Sequence, residues 1–262
     1  MNAPTHPVGA LLRQWRQRRR LSQLDLACDA EISTRHLSFV ETGRAQPSRE
    51  MLLHLAEQLD IPLRERNRLL AAAGYAPLFP QRTLDDPALA GARQAIEQLL
   101  KAHEPNPALA IDRQWNLLAA NGAVMALIAG ASPALLAPPL NVLRLTLHPE
   151  GLAPRIVNFG QWRAHLLERL LHDIEVSGDA ELQALYDELA AYPAPPVTDA
   201  LPVDGVLVPL QLDTPLGVIS FISTITVFGT PVDVTLSELA LETLFPADPE
   251  SAERLRQILR MG

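Results

Sequence analysis

The chain of 262 residues contains a single cysteine, Cys28. It therefore has no intrachain disulfide and no thiolate metal cluster, and a reducing cytoplasm is the compartment that suits it. Charge is missing from one long passage, Arg113 to Arg144, where no charged residue lies between the two arginines. A bilayer-spanning helix needs about 20 mostly apolar residues, so the length is there. Asn121-Gly122, Ser132-Pro133 and Pro138-Pro139 cut the passage into pieces too short to span, which favours buried soluble structure. The opening MNAPTHPVGALLRQW lacks the basic and then apolar run of a secretory signal, and no internal repeat stands out. No Gly-rich loop follows a strand, no Gly-x-Ser-x-Gly elbow occurs, and none of the seven histidines has His-Glu-x-x-His spacing. These absences lead to the expectation that the protein is not an enzyme. His165, Glu168, His172 and Glu175 do recur at helical intervals, where a metal held by two of them competes with the commoner solvated helix face.

The charge that is present is unevenly spread. Formal net charge is −8, but residues 1–75 sum to +3 and the remainder to −11. Such asymmetry suggests a small domain for a polyanion joined to a larger one with a different task. Pro77, Pro80 and the polar QRTLDDP mark a boundary, so the expected division is a domain over 1–75, a linker over 76–90 and a second domain over 91–262.

The first part reads as five short helices. Val8, Leu11, Leu12 and Trp15 recur at helical spacing, Ser22, Ser33 and Ser48 are good N-caps, Gly43 stops the third helix, and Pro62 opens the fifth as its N1 residue. Two short helices across a tight turn are the geometry of a helix-turn-helix, whose second helix enters the major groove of duplex DNA. In STRHLSFVETG, Leu37 and Val40 face inward, leaving Thr34, Arg35, Ser38 and Phe39 outward. Arg35 can bridge guanine O6 and N7, a contact that discriminates by about 1–3 kcal/mol. Gln23, Ser33, Arg44 and Arg49 are placed to hold phosphates and fix register.

The second part opens with a helix over Gly91–His103. A strand over Ala108–Ile111, a turn at Asp112-Arg113-Gln114, a strand over Trp115–Ala119 and a helix near Asn121 follow. Two helical stretches come next, the first with Ile156, Phe159, Trp162, Leu166, Leu167 and Leu170 on one stripe. GVLVPLQLD and VISFISTITVFG then read as paired strands, with Pro209 marking an edge or bulge. LSELALETLFP gives a last strand and Glu250–Arg260 a closing helix. The expected fold is an all-α N-terminal domain plus an α+β domain, an antiparallel sheet covered by helices.

LSQLDLACDAEISTRHLSFVETGRAQPS resembles the lambda-repressor-like (Xre) helix-turn-helix, a resemblance that implies base contacts for Thr34, Arg35 and Phe39 and a backbone contact for Gln23. Phe39 departs from that pattern, in which a polar residue is commoner. LRLTLHPEGLAPRIVNFGQWRAHLLERL and ISFISTITVFGTPVDVTLSELALETLFPAD resemble the ligand-binding domain of MmyB-like transcription regulators. That resemblance implies a PAS-like domain holding a small, mostly apolar ligand of the acyl-chain type, and matches the family's typical residues to Arg155, Asn158, Trp162, Arg163 and His165. Phe159, Phe221 and Thr224 complete the candidate ligand set. The expectation is a DNA-binding homodimer that needs no resident cofactor and binds operator DNA and a small apolar ligand, but no membrane. A DNA-bound protein-interaction module without a pocket is the alternative.

Overall fold

The computed structural model describes residues 7–193, 207–229 and 231–261. The first residues of GVLVPLQLD and of the N-terminal stretch lie outside them. The chain divides into two compact units, Met1–Arg82 with Glu175–Ser177 and Thr230–Ser237, and the remainder.

The first unit is helical: α1 (Pro7–Arg18), α2 (Gln23–Asp29), α3 (Thr34–Glu41), α4 (Arg49–Gln58) and α5 (Leu63–Ala72). Local chemistry sets its starts. Ser22 Oγ accepts from the Asp25 N–H while the Asp25 carboxylate accepts from the Ser22 N–H, a complete capping box for α2. Ser33 and Ser48 cap α3 and α4 with a single bond each, accepting from the His36 and Met51 N–H groups, and Gly43, at φ +73°, follows α3. Pro62 occupies the N-cap of α5, one position earlier than expected. Leu12, Leu26, Leu37, Val40, Leu52 and Leu55 form the core, all essentially without exposed surface. Residues 231–237 add a further piece. The Val234 N–H donates to the Pro80 carbonyl at 2.8 Å, Asp233 accepts from Arg82 at 3.0 Å, and the short α12 (Val234–Ser237) packs on α5.

The second unit is built on a five-stranded antiparallel sheet of order β2-β1-β5-β4-β3. Its strands are β1 (Ala108–Ile111), β2 (Leu117–Ala120), β3 (Leu210–Leu212), β4 (Ile219–Val227) and β5 (Ala240–Pro246). Helices α6 (Ala90–Ala102), α7 (Gly122–Ile128), α8 (Pro133–Leu136), α9 (Val142–Leu147), α10 (Phe159–Ser177), α11 (Ala180–Ala190) and α13 (Pro249–Met261) complete the chain. The antiparallel sheet with helical cover is thus as expected. The second strand starts two residues later than its apolar pattern suggests. Asp112 Oδ1 accepts from the N–H groups of both Gln114 and Asn116, which lengthens the turn and leaves Trp115 left-handed at φ +65°. Asn121 caps α7, as read from the sequence. On α10 the buried stripe is Phe159, Trp162, Leu166 and Leu170, whereas Ile156 precedes the helix and bridges to Leu212. Strand β4 buries Ile219 and Phe221, but from Thr224 onward it is exposed.

Candidate DNA-reading surface and internal cavity

In the first unit, the inner face of α3 is fixed by Leu37 and Val40, both with no exposed surface. Arg35 is exposed, and Thr34, Ser38 and Phe39 are partly so, which presents the four sequence-selected side chains together on the outer face. Phe39 has a visible task. The Arg35 guanidinium lies 5.3 Å from its ring centroid and that of Arg44 lies 6.0 Å away. A cation on an aromatic face gains about 0.5–1 kcal/mol at an exposed site, so the ring draws Arg35 and Arg44 to one place on the outer face. Arg44, between α3 and α4, and Arg49, the first residue of α4, are both exposed. Ser33 Oγ accepts from the His36 N–H, so this side chain is occupied as a cap.

Gln23 is placed differently. Its amide donates to Glu41 Oε2 at 2.7 Å, and Glu41 also takes a two-pronged bond from Arg16 at 2.7 and 2.9 Å. Glu41 is 6% exposed, so this network is interior and ties α1, α2 and α3 to one another. Gln23 retains its carbonyl oxygen for any outside contact. Nothing in its local sequence signals a partner 18 residues away.

The second unit holds an apolar cavity of about 80 Å³ between the sheet and α7, α9 and α10. Leu127, Leu143, Leu145, Leu166 and both Trp115 and Trp162 line it, and Thr146 and Glu242 are the polar side chains that join them. Each polar group has a definite state. Thr146 gives its hydroxyl hydrogen to the Val142 carbonyl at 2.7 Å. The Trp115 indole bonds to Asp173, whose carboxyl is pushed up by burial against the pull of Arg169 and of that indole. Trp162 is 3% exposed, and its indole Nε1 has no hydrogen-bond partner among the described residues. A buried donor without an acceptor costs about 1–3 kcal/mol, so its presence calls for an explanation. Glu242, 6% exposed, accepts from Ser223 Oγ at 2.5 Å, and Arg169 stands 3.8 Å from the same oxygen while stacking 4.2 Å over Trp115.

Of the eight ligand candidates, Trp162 lines the cavity and the others stand elsewhere. Arg155 donates to the Leu127 carbonyl at 2.8 Å and borders a separate cleft of about 380 Å³ with Thr214, Leu216 and Ile258. Asn158 joins α10 to β3, donating to the Pro209 carbonyl and accepting from the Gln211 N–H. Arg163 donates to the Ala190 carbonyl at the end of α11, complementing that helix terminus. The His165 ring lies 5.5 Å from that of Trp162. Phe159 and Phe221 are core residues, and Thr224 is exposed and hydrogen-bonded to Thr243 at 2.7 Å. Glu242 was not selected from the sequence, although a glutamate in the middle of ELALETLFP, an apolar strand, was the signal that could have found it. Among the described residues no group of three His, Cys, Asp or Glu side chains is arranged to hold a metal, and no helix is long and apolar enough to cross a membrane.

Comparison with known families gives two matches. Residues 92–258 match a family described as MmyB-like transcription regulator ligand binding domain, and residues 7–69 match one described as helix-turn-helix domain. No curated protein matches the chain.

Proposed function

The chain belongs to the MmyB-like transcription regulators, and from that premise we propose that it senses a small, mostly apolar, acyl-type molecule in its second unit and tunes operator binding as a cytoplasmic homodimer. The coarser statement needs no proposal: a helix-turn-helix and the family's ligand-binding domain make it a DNA-binding transcription regulator with a ligand-binding domain. The carrying observation for the sensor is the apolar cavity between the sheet and its helices, lined by leucines, Trp115 and Trp162. Small-molecule sites are of this kind, mostly apolar with a few polar groups that fix orientation. Its volume of about 80 Å³ is roughly half that of a cavity that admits benzene, so the favoured occupant is short or displaces side chains on entry. Native mass spectrometry of the purified protein, before and after denaturation, tests for a carried molecule. An empty protein whose thermal stability ignores every apolar compound offered would sink the sensor.

Two features support the regulatory half. Residues 231–237 pack with the first unit, whereas Glu242 and Leu244 of the strand they lead into line the cavity. Occupancy therefore has a short covalent route to the helix-turn-helix unit. Asp233→Ala, which removes the partner of Arg82, is expected to leave ligand binding intact while at least halving the ligand-dependent change in operator affinity. An unchanged ligand response in gel-shift titrations would exclude this route. The second feature is the edge of β4. Among the described residues β3 pairs only with residues 219–221, and Ile225 and Val227 beyond that point are 40% and 63% exposed. An open edge with apolar side chains is a natural pairing surface for a second copy. Two copies with recognition helices about 34 Å apart would occupy successive major grooves.

On DNA the two arginines beside Phe39 should behave differently. Arg35→Ala is expected to relax base preference at one position of each half-site, worth about 1–3 kcal/mol of discrimination. Arg44→Ala should weaken binding to all sequences alike and flatten the salt dependence by about one phosphate contact. Binding assays across an operator library and a salt series separate the two, and equal losses on every DNA from Arg35→Ala would remove it as a base reader.

A further inference from the structure

We propose that Phe39 is a specificity-determining residue that reads the C5-methyl group of a thymine, on the base pair next to the guanine taken by Arg35. This rests on the proposal above that α3 reads bases through Arg35, and it names the pair of bases selected.

The fold gives the Phe39 ring no packing task. Leu37 and Val40 close the inner face of α3, and the ring does not pack on the core to which they belong. It is partly exposed, with the guanidinium groups of Arg35 and Arg44 at 5.3 and 6.0 Å from its centroid. The loop that carries Arg44 is tied to the same residue, because the Phe39 carbonyl accepts from the N–H groups of Arg44 at 2.8 Å and Ala45 at 3.1 Å. Helix and loop together therefore set where the ring stands.

Arg35 and Phe39 have i, i+4 spacing, so they are neighbours on one face of α3. An apolar ring on a face that meets DNA is stabilised there only by apolar surface on the partner. In the major groove the C5-methyl of thymine is that surface, whereas guanine offers O6 and N7 to an arginine. The guanidinium and the ring centroid are 5.3 Å apart, between one and two base-pair steps of about 3.4 Å, which puts the two contacts on neighbouring base pairs. Contact with the ring also narrows the directions in which Arg35 can swing, which suits a two-bonded grip on guanine.

Duplexes selected by the full chain from a random library supply the probe, and the position at which Arg35→Ala relaxes guanine preference marks the neighbouring pair to alter. Deoxyuridine in place of thymine there removes the methyl group and keeps every hydrogen-bonding group. The unaltered protein is expected to bind the deoxyuridine duplex about three- to fivefold more weakly for each half-site replaced, the worth of one buried methyl group. Phe39→Ala should bind the thymine and deoxyuridine duplexes alike. With cytosine at the same position, the unaltered protein should prefer 5-methylcytosine to cytosine by about threefold, and Phe39→Ala should not. Equal affinity of the unaltered protein for thymine and deoxyuridine duplexes would overturn the methyl contact and leave Arg35 a base reader. A deoxyuridine loss that persists in Phe39→Ala would assign the methyl group to another side chain and overturn the role of Phe39. Failure of Arg35→Ala to relax any single position would overturn the reading of bases through Arg35, and this pairing with it. The deoxyuridine comparison on the unaltered protein stands even if Phe39→Ala does not fold.

Discussion

Glu41→Ala is expected to destabilise the first unit by about 3–5 kcal/mol, the cost of breaking a buried ion pair by removing one partner. The carboxylate accepts three bonds, two from Arg16 and one from Gln23, and the Arg16 side chain is only 10% exposed. Alanine at position 41 leaves that guanidinium buried with only the Leu21 carbonyl as acceptor. Domains have about 5–15 kcal/mol of stability in total, so this one change removes a large part of it. Urea unfolding followed by circular dichroism measures the loss. The double variant Arg16→Met with Glu41→Leu is expected to recover most of it, because an apolar replacement of a buried pair is often neutral or stabilising. A loss below about 1 kcal/mol for Glu41→Ala would show that the network is not carrying the packing of α1 and α2 on α3.

The second large effect is expected at Gly9, where two principles point in opposite directions. Alanine is the better helix former, by about 1 kcal/mol in a helix interior. A Cβ at Gly9, however, would stand 2.3 Å from the Val40 carbonyl oxygen and 2.8 Å from that of Glu41. Both obstacles are backbone, so neither can swing aside, and α1 would have to move away from α3. That movement opens the core at Leu12, which has no exposed surface. Overpacking of this kind costs about 1–3 kcal/mol or more, and the rigid obstacle places Gly9→Ala near 3 kcal/mol, well beyond the propensity gain. Thermal unfolding of the variant decides between them, and a variant as stable as the parent would mean that the close approach of the two helices yields at no cost.

What was legible in the sequence was local. Ser22, Ser33, Ser48 and Asn121 all cap the helices assigned to them, because the cap bond reaches only two or three residues along the chain. The outward set on α3 was legible for the same reason, since helical period alone separates Leu37 and Val40 from Arg35. Contacts across the fold were not. Gln23 finds Glu41 only because α2 and α3 cross, and Trp115 leaves its strand pattern because Asp112 draws two N–H groups into the turn. Periodicity read Thr224 as a pocket candidate, but the sheet leaves that end of β4 exposed. Glu242 shows the limit most clearly. Its importance arises from what surrounds it, namely Ser223 on the neighbouring strand, Arg169 on α10 and a cavity wall that is mostly apolar.

The packing of residues 231–237 also means that the helix-turn-helix unit is discontinuous in sequence. A fragment ending at residue 82, cut where composition suggests, would keep all five N-terminal helices and yet be incomplete. It would lack Val234, which is wholly buried, and it would leave the Pro80 carbonyl and the Arg82 side chain without the partners they have in the full chain. DNA affinities measured on such a fragment would describe a loosened version of the reader. The C-terminal piece released by the same cut would carry Val234 and Asp233 out into water on the connection between β4 and β5.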